Sequence, residues 1–473
     1  MRILLINQPD RNTLIANNPE ILEESRGYNP PLGLLYIASS LKNAGMDVQV
    51  LDCQVEELNY KQLKKRIETI KPDVVGMTLM TFCIFDVKKT AQLCKSINPN
   101  IKIILGGPHI YIYPEETARL SWVDAVLIGE ADFTAPDFFK NINNEELLKK
   151  VPGACFVKKD GNIHKNPPPP LIENLDTVQF PARELTFFKK YNSVIAKRTP
   201  VTTMFTSRGC PYKCLFCDRP HLGDKFRART AKNVVDEIEK CYEMGINEFL
   251  IYDDTFTIIR ERVVEICEIL IKKNLHKKIG WDVRARVNTV DYELLCLMKK
   301  AGCERIHYGV ESGSEKILKV LRKGITLEQA LKVFKETKKA KIQTLAYFMI
   351  GSPEETVEDV EKTIKFMKKL NPDYVHVTIT SPFPATELYF LGLKNNVFKK
   401  DIWKEFAQNP NKDFIPPHWN EIISEEKLHS LVKKAYKSFY FRPFYLLKRV
   451  LSVRSFGEFK RKAKAGIGLL FYK

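Results

Sequence analysis

The chain has 473 residues, 44% hydrophobic and 28% charged, with 26 prolines and 22 glycines scattered through it, a balance that excludes a disordered or fibrous protein. The formal net charge of +18 is uneven, because from Lys427 onward 13 Lys or Arg face the single acid Glu458. There is no apolar run of about 18 residues and no leader pattern in MRILLINQP, so the expectation is a cytoplasmic protein without a membrane span.

Residues 1–145 read as strands alternating with helices: ILLINQP, PPLGLLYIASSLKNAG, VQVLDC, ELNYKQLKKRIETIKP, VVGMTLMT, VKKTAQLCKSINP, IKIILGGP and AVLIGE. That alternation predicts an α/β domain with a doubly wound parallel sheet. Its ligand crevice lies at the carboxyl ends of the strands, where Asn7, Gln8, Pro9, Thr78, Thr81, Gly106, Gly107, Gly129 and Glu130 fall. Residues 146–195 turn irregular around Pro167–Pro170 and read as a linker. A second series occupies 196–395, from VTTMFTS through FLIYDD, IGWDVRA, RIHYGVES and TLAYFMIGSP to YVHVTITSP. Its six strand and helix units predict a partial (β/α)6 TIM-type barrel with its chemistry at the strand carboxyl ends. Residues 396–473 read as a helical, aromatic and basic carboxyl-terminal region.

Most of the 11 cysteines stand apart in apolar or helical surroundings, where free cysteine is a small buried hydrophobe. Cys210, Cys214 and Cys217 are crowded into RGCPYKCLFCDRP, directly after the first barrel strand. Three thiolates on one short loop can converge on one inorganic centre. Structural zinc wants a fourth ligand, for which His221 is the nearby substitute, whereas an iron–sulfur cubane held by three cysteines leaves one iron open.

This loop, its position and the partial barrel resemble the radical SAM enzyme superfamily, over residues 200–385. The resemblance implies a [4Fe-4S] cluster on the three cysteines, S-adenosylmethionine chelated at its open iron, an external electron donor, and hydrogen abstraction by a 5′-deoxyadenosyl radical. It also implies that Phe216 flanks the nucleoside, that Asp253 or Asp254 holds the methionyl amine and that Arg286 pairs with its carboxylate. Glu311 in HYGVESGSEK falls where the family binds the ribose or methionyl part, and Gly351 in FMIGSPEET falls where the backbone approaches adenine. Each position also has a plainer reading, as core aromatic, helix cap, solvent-facing cation or turn.

NPPLGLLYIASSLKNAGMDVQVLD, DVVGMTLMT and ILGGPH resemble the cobalamin-binding domain of one large radical SAM subclass, which includes methyltransferases and porphyrin-cyclase-like members. Cobalamin is then expected beside Thr78, Gly106 and Gly107. The first histidine in the chain is His109, so the resemblance implies cobalamin without a His lower ligand, its lower face towards Asn7–Asp10 or Thr78–Phe82. The implied activity is methylation of an unactivated carbon of a small-molecule substrate. The alternatives are oxidation or cyclisation without methyl transfer, and a non-catalytic cobalamin or metal sensor.

Trp403, Phe406, Phe414 and Trp419, with a basic tail in which Leu447, Val450 and Leu451 recur at helical spacing, point to a lipid or isoprenoid substrate and peripheral membrane contact. A docked terminal helix is the plainer reading of the tail, and nucleic acid is the disfavoured partner.

Overall fold

The computed structural model describes residues 1–14, 27–218 and 223–451, with side chains up to Leu447. His221 and the tail beyond residue 451 lie outside these described residues, as do the side chains of Val450 and Leu451.

The first domain is built on strands β1 (Arg2–Asn7), β2 (Asp47–Asp52), β3 (Val74–Thr78), β4 (Lys102–Gly106) and β5 (Ala125–Leu127), followed by β6 (Ala154–Val157) and β7 (Ile163–Lys165). Their order across the sheet is β2-β1-β3-β4-β5-β6-β7, parallel from β2 to β5. Near-continuous apolar runs such as Ile3–Ile6, all buried, are what a parallel sheet covered by helices on both faces requires. The order reverses between β1 and β3, so the crevice of this doubly wound sheet opens beyond Asn7 and Thr78.

β6 and β7 correct the expected linker. They form an antiparallel hairpin added to β5, so the first sheet runs on to Lys165. The proline run follows it and packs over Gly129 and Gly153, each of which has a positive φ.

The second sheet contains β8 (Val201–Met204), β11 (Glu248–Ile251), β12 (Gly280–Ala285), β13 (Cys303–Glu311), β14 (Gln343–Ile350) and β15 (Tyr374–Ile379), in that order and all parallel. Two short strands, β9 (Ser207–Arg208) and β10 (Arg227–Ala228), form an antiparallel pair between β8 and β11. Alternate residues Val283, Ala285, Ile306, Tyr308, Ala346, Phe348, Val375 and Val377 pack with the surrounding helices in one core. The opposite parity, Asp282, Arg284, Arg305, His307, Tyr347 and His376, faces the lumen. Thr230, Asp291, Thr326 and Thr356 cap the amino termini of four outer helices with their side chains.

β15 is an edge strand, and the helix Glu425–Tyr440 lies along it. Tyr436 Oη accepts from Val377 N at 3.0 Å and donates to Val377 O at 3.1 Å, and Tyr440 does the same at Val375, at 3.1 and 3.0 Å. Two strand residues rise about 6.6 Å and four helical residues about 6 Å, so the spacings match and the edge keeps its backbone satisfied.

Trp403 and Phe406, 1% exposed, and Trp419, 2% exposed, belong to a core shared with Leu79, Phe85 and Tyr113 of the first domain. Phe414 is half-buried and stacks on Phe406 at 4.1 Å. These aromatics therefore join the carboxyl-terminal region to the first domain as core residues. Among the described residues no helix is long and apolar enough to cross a membrane.

Candidate active site

The cysteine loop begins at the β9–β10 pair, and its base is fixed from two sides. From below, Asp253, fully buried after β11, accepts from Thr206 N at 2.6 Å, Ser207 N at 3.1 Å, Ser207 Oγ at 2.7 Å and the Thr206 hydroxyl. From the first domain, Asp132 receives the Arg208 guanidinium in two bonds of 2.8 and 3.0 Å, and Glu130 receives Arg227 in two bonds of 2.8 and 2.9 Å. Burial pushes the Glu130 carboxyl up. The hydrogen bonds from Arg227 and the Ile172 amide, with the Arg208 and Arg227 charges, outweigh it and hold the group below its ordinary value. Farther along, Leu215 N donates to Leu321 O at 3.0 Å and Leu215 O accepts from Leu388 N at 3.0 Å, while the Leu215 side chain enters the first domain's core.

The thiols stand at graded depth: Cys214 buried, Cys210 half-buried and Cys217 exposed. Burial raises the Cys210 thiol above its ordinary value, and the charges of Asp254 and Cys214 act in the same direction, so these groups converge. Arg286 closes the site from β12: its guanidinium donates to Cys214 Sγ at 3.4 Å and to Lys323 O, and lies 3.8 Å over the Tyr212 ring. A guanidinium with one arm on the Cys214 sulfur and a second on a backbone carbonyl fixes the loop against β12.

Glu311 ends β13 at a register shift and has a positive φ of 70°. Such an irregularity re-aims a side chain, and here the carboxylate receives Lys323 Nζ at 2.7 Å, both groups buried. A Cβ on Gly309 would collide with this pair. Lys323 Nζ also lies 5.8 Å from the Phe216 ring centroid, so Phe216, Lys323, Glu311, Arg286 and Cys214 form one continuous surface.

The sequence-derived candidates thus separate. Cys210, Cys214, Cys217, Phe216, Asp254, Arg286 and Glu311 come together at the strand carboxyl ends. Of the two acids, Asp253 is saturated by backbone and hydroxyl donors and holds the loop, whereas Asp254 is exposed beside the thiols. Gly351 follows β14 with φ 84°; its amide donates to Glu355 Oε2 at 2.6 Å and its back packs against Leu428. Burial pushes the Glu355 carboxyl up to about 7, two backbone amides lowering it in part.

Thr78, Gly106 and Gly107 meet at the ends of β3 and β4. A Cβ on Gly107, φ 102°, would lie 2.8 Å from Thr78 Cγ2 and 3.0 Å from Leu79 O; one on Gly106 meets only Leu127 O at 3.7 Å. Gly107 is therefore the glycine this turn requires. Met80 and Phe82 stand exposed beyond β3, whereas His109 is enclosed with Nδ1 2.9 Å from Thr81 Oγ1, and its burial lowers it to about 4. A crevice with an open apolar lip at Met80 and Phe82 fits a flat ligand of the corrin kind.

Sequence reading missed the lumen. His307 Nδ1 lies 3.0 Å from Tyr347 Oη, the Tyr347 and His376 rings are 5.6 Å apart, and Arg284 lies 4.1 Å over Tyr252, whose hydroxyl accepts from Asn29 at 3.2 Å. Burial lowers His307, with Asp282 opposing, which favours the neutral ring. Polar residues at alternate positions of RIH and YVHVT, with Tyr347 alone on that parity in LAYFM, were the available signal.

The pattern of the Radical SAM superfamily matches residues 204–367, and that of the B12 binding domain matches residues 21–139. The chain is 34% identical over 447 residues to the uncharacterized methyltransferase PH0819 of Pyrococcus horikoshii, covering 94% of each chain. It is 32% identical over 386 residues to the anaerobic magnesium-protoporphyrin IX monomethyl ester cyclase of Rubrivivax gelatinosus, covering 79% of this chain and 68% of that one. The cobalamin-dependent S-adenosylmethionine radical enzyme OxsB, solved with aqua-cobalamin and S-adenosylmethionine bound, shares the fold: TM-score 0.74 and 18% identity, over 99% of this chain and 72% of that chain.

Proposed function

The chain belongs to the radical SAM superfamily, in the subclass with a B12-binding domain, and from that premise we propose that it methylates an unactivated carbon of a small-molecule substrate held in the barrel lumen. The observation that carries this reading is the joining of a three-thiol loop at the barrel mouth to the carboxyl end of the first sheet, through Arg208 and Arg227 on Asp132 and Glu130. When bound, a [4Fe-4S] cluster would supply an electron to S-adenosylmethionine, and cobalamin would carry a methyl group from S-adenosylmethionine to the substrate.

The chain's own residues hold and orient. Cys210, Cys214 and Cys217 provide three thiolates, and Arg286 orients the sulfur of Cys214. Asp254, exposed beside them, offers a carboxylate to the methionyl ammonium by charge-assisted bonds. Glu311, held by Lys323, offers its second oxygen to the ribose or methionyl part, and Phe216 flanks the nucleoside. Thr78 and Gly107, packed together at the ends of β3 and β4, would hold the corrin there. Arg284, Tyr347 and His376 face the lumen and suit a substrate with an anionic or hydrogen-bonding group.

A lipid-like substrate loses the support of Trp403, Phe406, Phe414 and Trp419. Membrane contact rests instead on the helix Pro443–Leu451, whose Phe444 is 87% exposed beside Leu446 and Leu447. Co-sedimentation with anionic vesicles at low salt, lost in Phe444→Ser, is its expected outcome; no co-sedimentation of the full chain overturns it.

The test of the main reading is anaerobic turnover of the reconstituted protein with reductant, S-adenosylmethionine and candidate substrates. Methylation requires S-adenosylhomocysteine and 5′-deoxyadenosine together, and Cys214→Ala must abolish the latter. Formation of 5′-deoxyadenosine alone in the presence of bound cobalamin selects oxidation or cyclisation.

A further inference from the structure

Away from the cysteine loop, three potential ligands meet at the barrel rim. His418 lies buried in the segment before the helix Glu425–Tyr440, while Glu425 and His429 occupy the first turns of that helix, four residues apart on one face. His418 Nδ1 is 3.1 Å and His429 Nε2 is 3.9 Å from the same atom, Glu425 Oε1, and all three ligand atoms lie within 4.8 Å of one another. The two imidazoles are nearly perpendicular at 80° with centroids 6.0 Å apart, so they do not stack on each other.

We propose that His418, Glu425 and His429 bind one divalent metal ion of the zinc class, with a coordination position left open. Bonds of about 2.0–2.2 Å in a tetrahedral site place neighbouring ligand atoms about 3.4 Å apart. The two distances to Glu425 Oε1 straddle that edge, and the remaining adjustment falls on Glu425 and His429, whose side chains are partly exposed. A hydrogen bond accounts for the approach of His418 to Glu425. It does not account for a second ring nitrogen turned to the same oxygen at 3.9 Å, beyond hydrogen-bonding distance.

The donor set is chemically suited to the ion. Two imidazoles and one carboxylate are borderline and hard ligands, favouring zinc or a similar first-row ion over magnesium or calcium. The place of His418 is fixed by the next residue, whose amide, Trp419 N, donates to Thr380 O at 3.2 Å beyond the end of β15.

The location gives the ion a role. Trp419 O and the Leu428 side chain crowd the back of Gly351, and the same helix carries the tyrosines that seal β15. An ion here ties the segment before the helix to the helix itself, bracing the wall of the lumen from outside. The donor set contains no cysteine and shares no residue with the thiol loop.

The test uses the full chain with its iron–sulfur cluster assembled anaerobically, then treated with a mild chelator and titrated with Zn²⁺ and, separately, Co²⁺. The expected result is about one ion per chain beyond the cluster, visible Co²⁺ ligand-field bands, and a rise in melting temperature on Zn²⁺ addition. His429→Ala and Glu425→Gln, at partly exposed positions, should each weaken binding at least tenfold, and His418→Ala/His429→Ala should remove the bands. Iron and cobalamin contents should stay unchanged in each variant. Failure of the wild type to bind Zn²⁺ at micromolar concentration, or equal binding by the double variant, overturns the proposal.

Discussion

Replacing either glycine of the β4 turn by alanine separates two residues that look equivalent in ILGGPH. Gly107 has φ 102° and ψ −177°, a region essentially closed to side-chain-bearing residues, at a cost of about 1–3 kcal/mol. Its new Cβ would also lie 2.8 Å from Thr78 Cγ2, 3.0 Å from Leu79 O and 3.3 Å from Leu79 N. Leu79 cannot withdraw freely, because its amide donates to Gly106 O at 2.7 Å and its carbonyl accepts from His109 N at 3.2 Å. Overpacking adds about 1–3 kcal/mol, so Gly107→Ala should destabilise the ends of β3 and β4 by at least about 2 kcal/mol, a factor of roughly 30. Gly106→Ala meets one atom at 3.7 Å and should change stability by less than about 0.5 kcal/mol. Hydrogen exchange at the amides of both strands in the full chain, with cobalamin content after reconstitution, reads the difference. Equal exchange and equal cofactor content in the two variants would refute the reasoning.

Arg227→Met leaves the buried Glu130 without its main partner and should cost about 3–5 kcal/mol at neutral pH. The folded Glu130 value is depressed, so its contribution is present above the unfolded carboxyl value near 4.3 and lost as pH falls through the folded value; acid melts should show this loss in the wild type and less of it in the variant. Arg286→Lys keeps charge but loses the fork over Tyr212, and should raise KM for S-adenosylmethionine roughly 10-fold with iron content retained; an unchanged KM removes Arg286 from the site. Tyr436→Phe strands the amide and carbonyl of Val377 and should cost about 2–4 kcal/mol, seen as faster exchange of the Val377 amide; no change there means water replaces the hydroxyl freely.

Both sheets were legible because each strand carries its own apolar run and each helix its own period, signals contained within a few residues. The hairpin Ala154–Val157 and Ile163–Lys165 also had a local signal, Asp160-Gly161 between short alternating runs, with Gly161 at φ 84°. The nearby prolines drew those residues into the expected linker instead. Asp253 and Asp254 are indistinguishable in composition. The turn of the chain beyond β11 buries one under Thr206 and exposes the other beside the thiols. No local pattern announces that Arg208 and Arg227 meet Asp132 and Glu130, 76 and 97 residues away. The aromatics at 403–419 show why composition alone misleads, since a core and a substrate channel draw on the same residue types.

A barrel whose last wall is a helix can be breached in a way that a closed strand ladder cannot. A ladder separates only by unpairing backbone along its length, whereas this wall is fastened to β15 by the hydroxyls of Tyr436 and Tyr440 and by the burial of Leu428, Leu431, Val432 and Phe439 in the core it shares with Val375 and Val377. The firmness of that edge is therefore set by side chains, the two tyrosine hydroxyls and the apolar face buried with them, and not by a strand partner.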